Sequence, residues 1–271
     1  MRHKRLLYPL TLWLALLPAT CNLPLNVDIR FQESLTMAQP ASIVPAVPGD
    51  FTFVHITDPH VSKGTNSSLE RLPFNLVASD AFIVDTGDLT NMAAPSDFGA
   101  YKILLDNTAL PHYSVIGNHD IWNSGWNSYK KVLGPSVYSV TAGDLRIIAL
   151  DSAEDTIGAA QYAWLKTTLA NKTETYCIVL AHYNLFSPLI IETAQSTNME
   201  EVYGMMRLFE QYGVDYVLMG HSHIYDYRQI IGVNYLVGSA LIDAFTNDGP
   251  KYFNRIRVTG GKMTHQRVVI Q

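Results

Sequence analysis

From Phe51 onward the chain repeats one unit: a short apolar run, a turn, and then His, Asp or Asn. "FTFVHIT" leads into Asp58-Pro59-His60, "AFIVDTG" into Asp88 and "HYSVIG" into Asn118-His119-Asp120. "YCIVLA" leads into His182, and "DYVLMG" into His221-Ser222-His223. The runs are short, rich in β-branched and aromatic residues and bounded by turn signals, so they read as buried strands. The stretches "SSLERLPFNLVAS", "PSDFGAYKILLDNT", "AAQYAWLKTTLANK" and "MEEVYGMMRLFEQYG" read as helices. In the third, Trp164 and Leu165 are expected to face the core, and the fourth ends at Gly213 as a C-cap glycine would. Strand–helix alternation predicts an α/β domain with right-handed crossovers.

Hairpins add further strands. "SVYSV" and "LRIIALDS", "YDYRQII" and "NYLVGSA", and "YFNRIRVTG" and "KMTHQRVVIQ" each flank a glycine-bearing turn. So many strands exceed one comfortable sheet. The expectation is a helix–sheet–sheet–helix four-layer sandwich with two mixed β-sheets.

Ligand sites of open α/β sheets gather beyond the carboxyl ends of strands. Asp58, His60, Asp88, Asn118, His182, His221 and His223 all fall there. Any one of them alone would be an ordinary turn residue, but together they describe a site. Asp58 and His60 are two apart at a strand end, as are His221 and His223, and strand alternation predicts a shared side for each pair. Mixed His, Asp and Asn ligation without Cys suits Mn, Fe or Zn. The set exceeds one tetrahedral site and suits two divalent metal ions. Such a pair can clamp both oxygens of an in-line displacement at phosphorus.

The motifs D-x-H, G-D, G-N-H-D, H and G-H-x-H occur in that order, from Asp58 to His223. The set resembles the calcineurin-like metallophosphoesterase superfamily. The resemblance implies the calcineurin-like phosphoesterase fold. It also implies that Asp58, His60, Asp88 and His223 hold one ion, and Asp88, Asn118, His182 and His221 the other. His119 is then the catalytic residue, a general acid, while a metal-bridging hydroxide attacks phosphorus. Asp120 is one candidate partner for His119, with a turn or helix-start role as the alternative.

"GDLT" at 87–90, "ALDS" at 149–152 and "QYAWLKTTL" at 161–169 resemble the class III cyclic-nucleotide phosphodiesterase branch. The stretch "AHYNLFSP" departs from that branch around His182. A small-molecule phosphoester is therefore the expected substrate, with a diester favoured. A phosphomonoesterase and a catalytically silent metal-binding scaffold of the same fold are the alternatives. Tyr183, Phe186, Trp122 and Trp126 follow the metal-site strands and offer rings for stacking on a flat leaving group, or for packing on the rim. The residue three after Asp88 is Asn91, not the tyrosine of an Fe–tyrosinate site.

A formal charge of −5 argues against a dedicated nucleic-acid binder. No Gly-rich phosphate loop or basic cluster accompanies the motifs, so no duplex nucleic acid is expected as partner. At the other end, "MRHKR" followed by "LLYPLTLWLALLPA" reads as the signal peptide of an exported protein, residues 1–21. Cys21 just after it resembles a bacterial lipoprotein cleavage site, which would give membrane attachment through lipidation. Residues 22–50 are expected to form a linker or N-terminal arm, and 51–271 the metallophosphoesterase domain. Cys177, in an apolar run, is expected to be a buried small hydrophobe.

Overall fold

Two sheets carry the strands named above in the computed structural model, which describes residues 26–47, 49–186, 196–243 and 249–271. The expected signal peptide at 1–21 and Cys21 lie outside the described residues. The first sheet has the order β11-β10-β1-β2-β3: Lys262–Val269, Tyr252–Thr259, Asp50–Ile56, Asp80–Asp85 and His112–Ser114. The second has the order β4-β5-β6-β7-β9-β8: Tyr138–Ala142, Leu145–Ala149, Tyr176–Leu180, Tyr216–Met219, Val233–Val237 and Asp226–Ile230. Both are mixed. β1, β2 and β3 run parallel, as do β5, β6, β7 and β9, and the antiparallel pairs are the three expected hairpins and β1 with β10.

Alternation along each strand feeds two cores at once. Phe51 and Phe53 of β1 face the opposite sheet with Phe82, Ile178, Leu218 and Ile256, while Val54 and Ile56 face the helices. In β6, Tyr176, Ile178 and Leu180 point inward, and Cys177 and Val179 point outward. Burial on both faces is why these strands read as unbroken apolar runs. Helices α2 (Ser67–Arg71), α3 (Pro95–Asp106) and α4 (Trp126–Val132) cover the first sheet. Helices α5 (Gly158–Ala170) and α6 (Met199–Gln211) cover the second. The four layers are those expected. Leu165 is fully buried, Trp164 is half-buried, and α6 ends just ahead of Gly213, whose φ is 62°.

Two elements differ from the sequence expectation. The helix expected over 67–79 stops at Arg71 and tightens into a single 3₁₀ turn, Leu72–Asn75. Pro73 is the reason: it has no N–H for an α-helical bond and clashes with the preceding turn. The expected linker or arm at 22–50 contains helix α1, Asn26–Thr36, whose Phe31 meets Trp164 of α5 edge-on at 6.2 Å. Beyond α1 the chain crosses the open side of the sandwich. Ile43 N–H donates to the Thr141 carbonyl and Gly143 N–H to that of Ile43, at 2.9 and 3.0 Å. Tyr113 Oη donates to the Ala41 carbonyl at 2.8 Å. This stretch therefore covers the free edge of β4 while holding β3, the edge of the other sheet.

Candidate metal centre

Turns at the ends of β1, β2 and β7 adopt backbone that side-chain-bearing residues avoid. Asp58, His60, Asp88, His221 and His223 all have positive φ, between 47° and 67°. A left-handed residue costs roughly 1–2 kcal/mol, so each is held there by its surroundings. Asp58 N–H donates to the Gly87 carbonyl at 3.0 Å, and His60 N–H to that of Asp88 at 2.9 Å, stitching the first two turns together. Two glycines permit the close approach. A Cβ on Gly117 would collide with the backbone and carboxylate of Asp88, and one on Gly220 with the Thr57 hydroxyl. Asp58 and His60 do share a side, but through left-handed turns rather than strand alternation.

The seven expected ligands converge. Atoms of Asp58, His60, Asp88 and His223 lie within 4.8 Å of one another, as do atoms of Asp88, His182 and His221. Asp88 belongs to both groups. Its Oδ2 is 3.5 Å from His60 Nε2, and its Oδ1 is 3.4 Å from His182 Nε2. Asn118 Oδ1 joins the second group at 2.9 Å from His182 Nε2.

This donor set fits cations. His182 Nδ1–H donates to the Thr86 carbonyl at 2.8 Å, so its Nε2 presents a lone pair when the ring is neutral. That lone pair faces Asn118 Oδ1, His221 Nδ1 and Asp88 Oδ1, all acceptors or lone-pair nitrogens. Burial lowers the pKa of His60 and of His221 to about 4, so both offer neutral nitrogens at pH 7. Burial alone would lower His182 as well, but the Asp88 carboxylate overrides it and raises that ring to about 9. A proton held so tightly among acceptors occupies the place that suits a metal ion. Asp58, His60, Asp88 and His182 are all buried, so these polar atoms turn toward one another rather than toward bulk solvent.

His119 stands beside this cluster without joining either group. Its N–H donates to Asp88 Oδ1 at 2.8 Å, and Nδ1–H donates to the Asn91 carbonyl at 2.7 Å. Nε2 is 4.0 Å from Asp88 Oδ2 and points toward the cluster. The ring meets His60 edge-on at 4.6 Å.

A family model described as calcineurin-like phosphoesterase matches residues 51–225. The chain belongs to the calcineurin-like phosphoesterase family. A relative described as a probable cyclic nucleotide phosphodiesterase, from Psychrobacter arcticus, is 25% identical over 228 residues, covering 72% of this chain and 81% of the relative. Among solved structures, a dimetal phosphatase from Danio rerio matches with a TM-score of 0.64 at 15% identity, over 83% of this chain and 99% of its own. GAP50, described as the anchor in the inner membrane complex of Plasmodium, matches with a TM-score of 0.61 at 15% identity, over 82% of this chain and 85% of its own. At these identities the structural likenesses bear on the fold.

This calcineurin-like phosphoesterase is a metal-dependent hydrolase, and parts of its site are supported by residues the motifs did not reveal. Ser152 Oγ accepts from the N–H groups of His182 and Tyr183 at 3.0 and 3.2 Å, setting the loop that carries His182. "ALDS" was the signal for it. Asp120 does not partner His119. Its buried carboxylate accepts from the N–H groups of Gly117, Leu89 and Thr90 and from Thr90 Oγ1, at 2.9–3.1 Å. It thus locks the G-D and G-N-H-D turns to each other, and the partner of His119 is a backbone carbonyl. Of the four aromatic candidates, two reach the site. Trp122 lies tilted against His119 at 3.9 Å, and Tyr183 stacks on His221 at 3.9 Å. Trp126 instead donates to Glu33 of α1 at 2.6 Å, and Phe186 packs on Tyr235.

Proposed function

We propose that this phosphoesterase hydrolyses a small-molecule phosphodiester, with His119 as general acid. The observation that carries the acid role is the setting of His119. Nδ1–H is committed to the Asn91 carbonyl, so Nε2 is the nitrogen free to exchange a proton, and it faces the ligand cluster. Asp58, His60, Asp88 and His223 would hold one divalent ion, and Asp88, Asn118, His182 and His221 the other, with Mn, Fe and Zn as the metals this donor set suits. Bound there, the ions supply acidity to a water and neutralise charge on phosphoryl oxygens. The protein's own contribution is to fix these groups before substrate arrives and to deliver a proton to the leaving oxygen.

The diester reading rests on two supports. The relative from Psychrobacter arcticus is described as a probable cyclic nucleotide phosphodiesterase. The ion pairs that Asp58 and Asp88 make among the described residues are all with histidines. A diester monoanion demands less positive charge than a monoester dianion, so a site built from histidines and ions suits it. Export by the N-terminal segment, with or without lipidation at Cys21, completes the proposal and makes the substrate one met outside the cytoplasm.

The test compares initial rates on bis-p-nitrophenyl phosphate and p-nitrophenyl phosphate with added Mn²⁺, then on a 3′,5′-cyclic nucleotide. The diester is expected to react faster, with Asp88→Asn abolishing both rates. His119→Ala is expected to lower the cyclic-nucleotide rate by about 10²–10⁴-fold. Faster monoester hydrolysis would replace the diesterase with a phosphomonoesterase. Two bound ions without turnover of any phosphoester would make the protein a scaffold.

A further inference from the structure

Trp122 is the one large aromatic of the 119–132 region that the cores do not claim. Trp126 packs against the core under the first sheet and Trp164 against that under the second, whereas Trp122 is 41% exposed. Its indole lies instead on the His119 imidazole, with ring centroids 3.9 Å apart and planes 34° from parallel.

The backbone is bent to place it there. The turn that starts at His119 does not run on smoothly into α4. Trp122 has ψ 157°, Asn123 has φ 50° and ψ 36°, and Ser124 has φ 62°. Two consecutive left-handed residues, neither a glycine, are held against a steric penalty. Asn123 Nδ2 donates to the Met92 carbonyl at 3.2 Å, one residue from the Asn91 carbonyl that receives His119 Nδ1–H. The kink and the imidazole therefore grip the same short loop. With the His60 ring also against it, perpendicular at 4.6 Å, His119 is bounded by a carbonyl, an indole and a second imidazole.

We propose that Trp122 is a positioning residue for His119. By covering one face of the imidazole it fixes the ring plane and keeps water off it, so that Nε2–H is aimed at the leaving oxygen. This rests on the acid role argued above. In that step water oxygen bonds to phosphorus and loses a proton to solvent. The bond from phosphorus to the leaving oxygen breaks with its electron pair on that oxygen, which takes the Nε2 proton. His119 is left neutral with its proton on Nδ1. A group that serves proton delivery matters only when the leaving oxygen needs the proton, and this separates positioning from simple packing.

The experiment measures Mn²⁺-supported hydrolysis of methyl p-nitrophenyl phosphate and methyl phenyl phosphate by the wild-type protein, Trp122→Ala and Trp122→Phe. Phenoxide is the stronger base and depends on protonation, whereas p-nitrophenoxide leaves readily. Trp122→Ala is expected to lose roughly ten- to a hundred-fold on the phenyl ester, a part of the range open to general acids. On the p-nitrophenyl ester it is expected to stay within about two-fold, which also shows that the variant folds. Trp122→Phe is expected to restore the phenyl-ester rate. Long-range ¹H–¹⁵N NMR of the metal-free proteins gives a readout independent of turnover. His119 should show the Nδ1–H tautomer in wild type and Trp122→Phe, and averaged tautomers in Trp122→Ala. Equal losses on both esters, no loss on either, or an unchanged tautomer in Trp122→Ala would overturn the role of Trp122 and leave the phosphodiesterase reading intact. A wild-type protein that hydrolyses neither ester would overturn the phosphodiesterase reading, and this role with it.

Discussion

Arg30 of α1 and Asp151 after β5 meet as a two-pronged ion pair, with Nε 2.7 Å from Oδ2 and Nη2 2.9 Å from Oδ1. Both are buried, and Ser136 Oγ completes the carboxylate at 2.9 Å. The residue after Asp151 is Ser152, which sets the His182 loop. The N-terminal helix is thus tied, through Asp151 and Ser152, to the loop of the candidate ligand His182.

Arg30→Met leaves the Asp151 charge buried and unpaired. It should lower the unfolding free energy by about 3–5 kcal/mol, read from urea denaturation of the metal-free protein. A loss below about 1 kcal/mol would mean that α1 is only loosely docked.

Asp120→Asn keeps the shape of the turn lock and removes part of its acceptor capacity. The carboxylate takes hydrogen bonds from both oxygens, so an amide NH₂ would face a backbone N–H. The expected loss is about 1–3 kcal/mol in the same denaturation assay. Affinity for Mn²⁺ should fall with it, because Leu89 and Gly117 flank the candidate ligands Asp88 and Asn118.

Asp85 gives stability a pH dependence of known sign. It is fully buried, which raises its pKa well above the usual 3.8, and hydrogen bonds from Tyr101 and the Gly87 N–H only partly offset this. The folded protein holds this proton more tightly than the unfolded chain does. Its contribution is therefore complete below about pH 4 and is lost as pH rises through the folded value. Asp85→Asn removes that ionisation, and the Tyr101 hydroxyl, 2.7 Å from Ser114 Oγ, can turn to receive the amide. From about pH 4 up to the folded value the wild type should lose stability relative to the variant, by up to about 1.4 kcal/mol per pH unit. Parallel pH profiles would show that Asp85 does not carry the effect.

Cys177 is buried on the outer face of β6, and burial pushes its thiol up to about 12. A thiol reagent should leave it unmodified in the folded protein at pH 8 and label it within minutes in urea. Labelling at equal rates in both states would place it at the surface.

The layered architecture was legible because strands buried on both faces must be apolar throughout, and because polar residues clustered at a single end of each run. The convergence of the candidate residues was legible for the same reason: Asp88 and His182 each follow an apolar run at the same end of the strands. Asp120 was not, because its donors Leu89 and Thr90 are about thirty positions away and lie close only once the two turns fold together. Helix α1 was obscured by its Pro-rich surroundings and low apolar content, since it is held by Arg30 as much as by Phe31. The short α2 was overextended because the pattern of leucines carried past Pro73. The left-handed turns at Asp58, His60, Asp88, His221 and His223 break local preference, so no propensity argument reaches them.

Calorimetric titration of the metal-free protein with Mn²⁺, beside Asp88→Asn, tests the central claim most directly. Asp88 is the residue common to both groups, with one oxygen toward each. The wild-type chain should bind two ions, and Asp88→Asn should weaken both. A single ion in the wild type, or two ions bound equally well by Asp88→Asn, would contradict a two-ion site joined through this carboxylate.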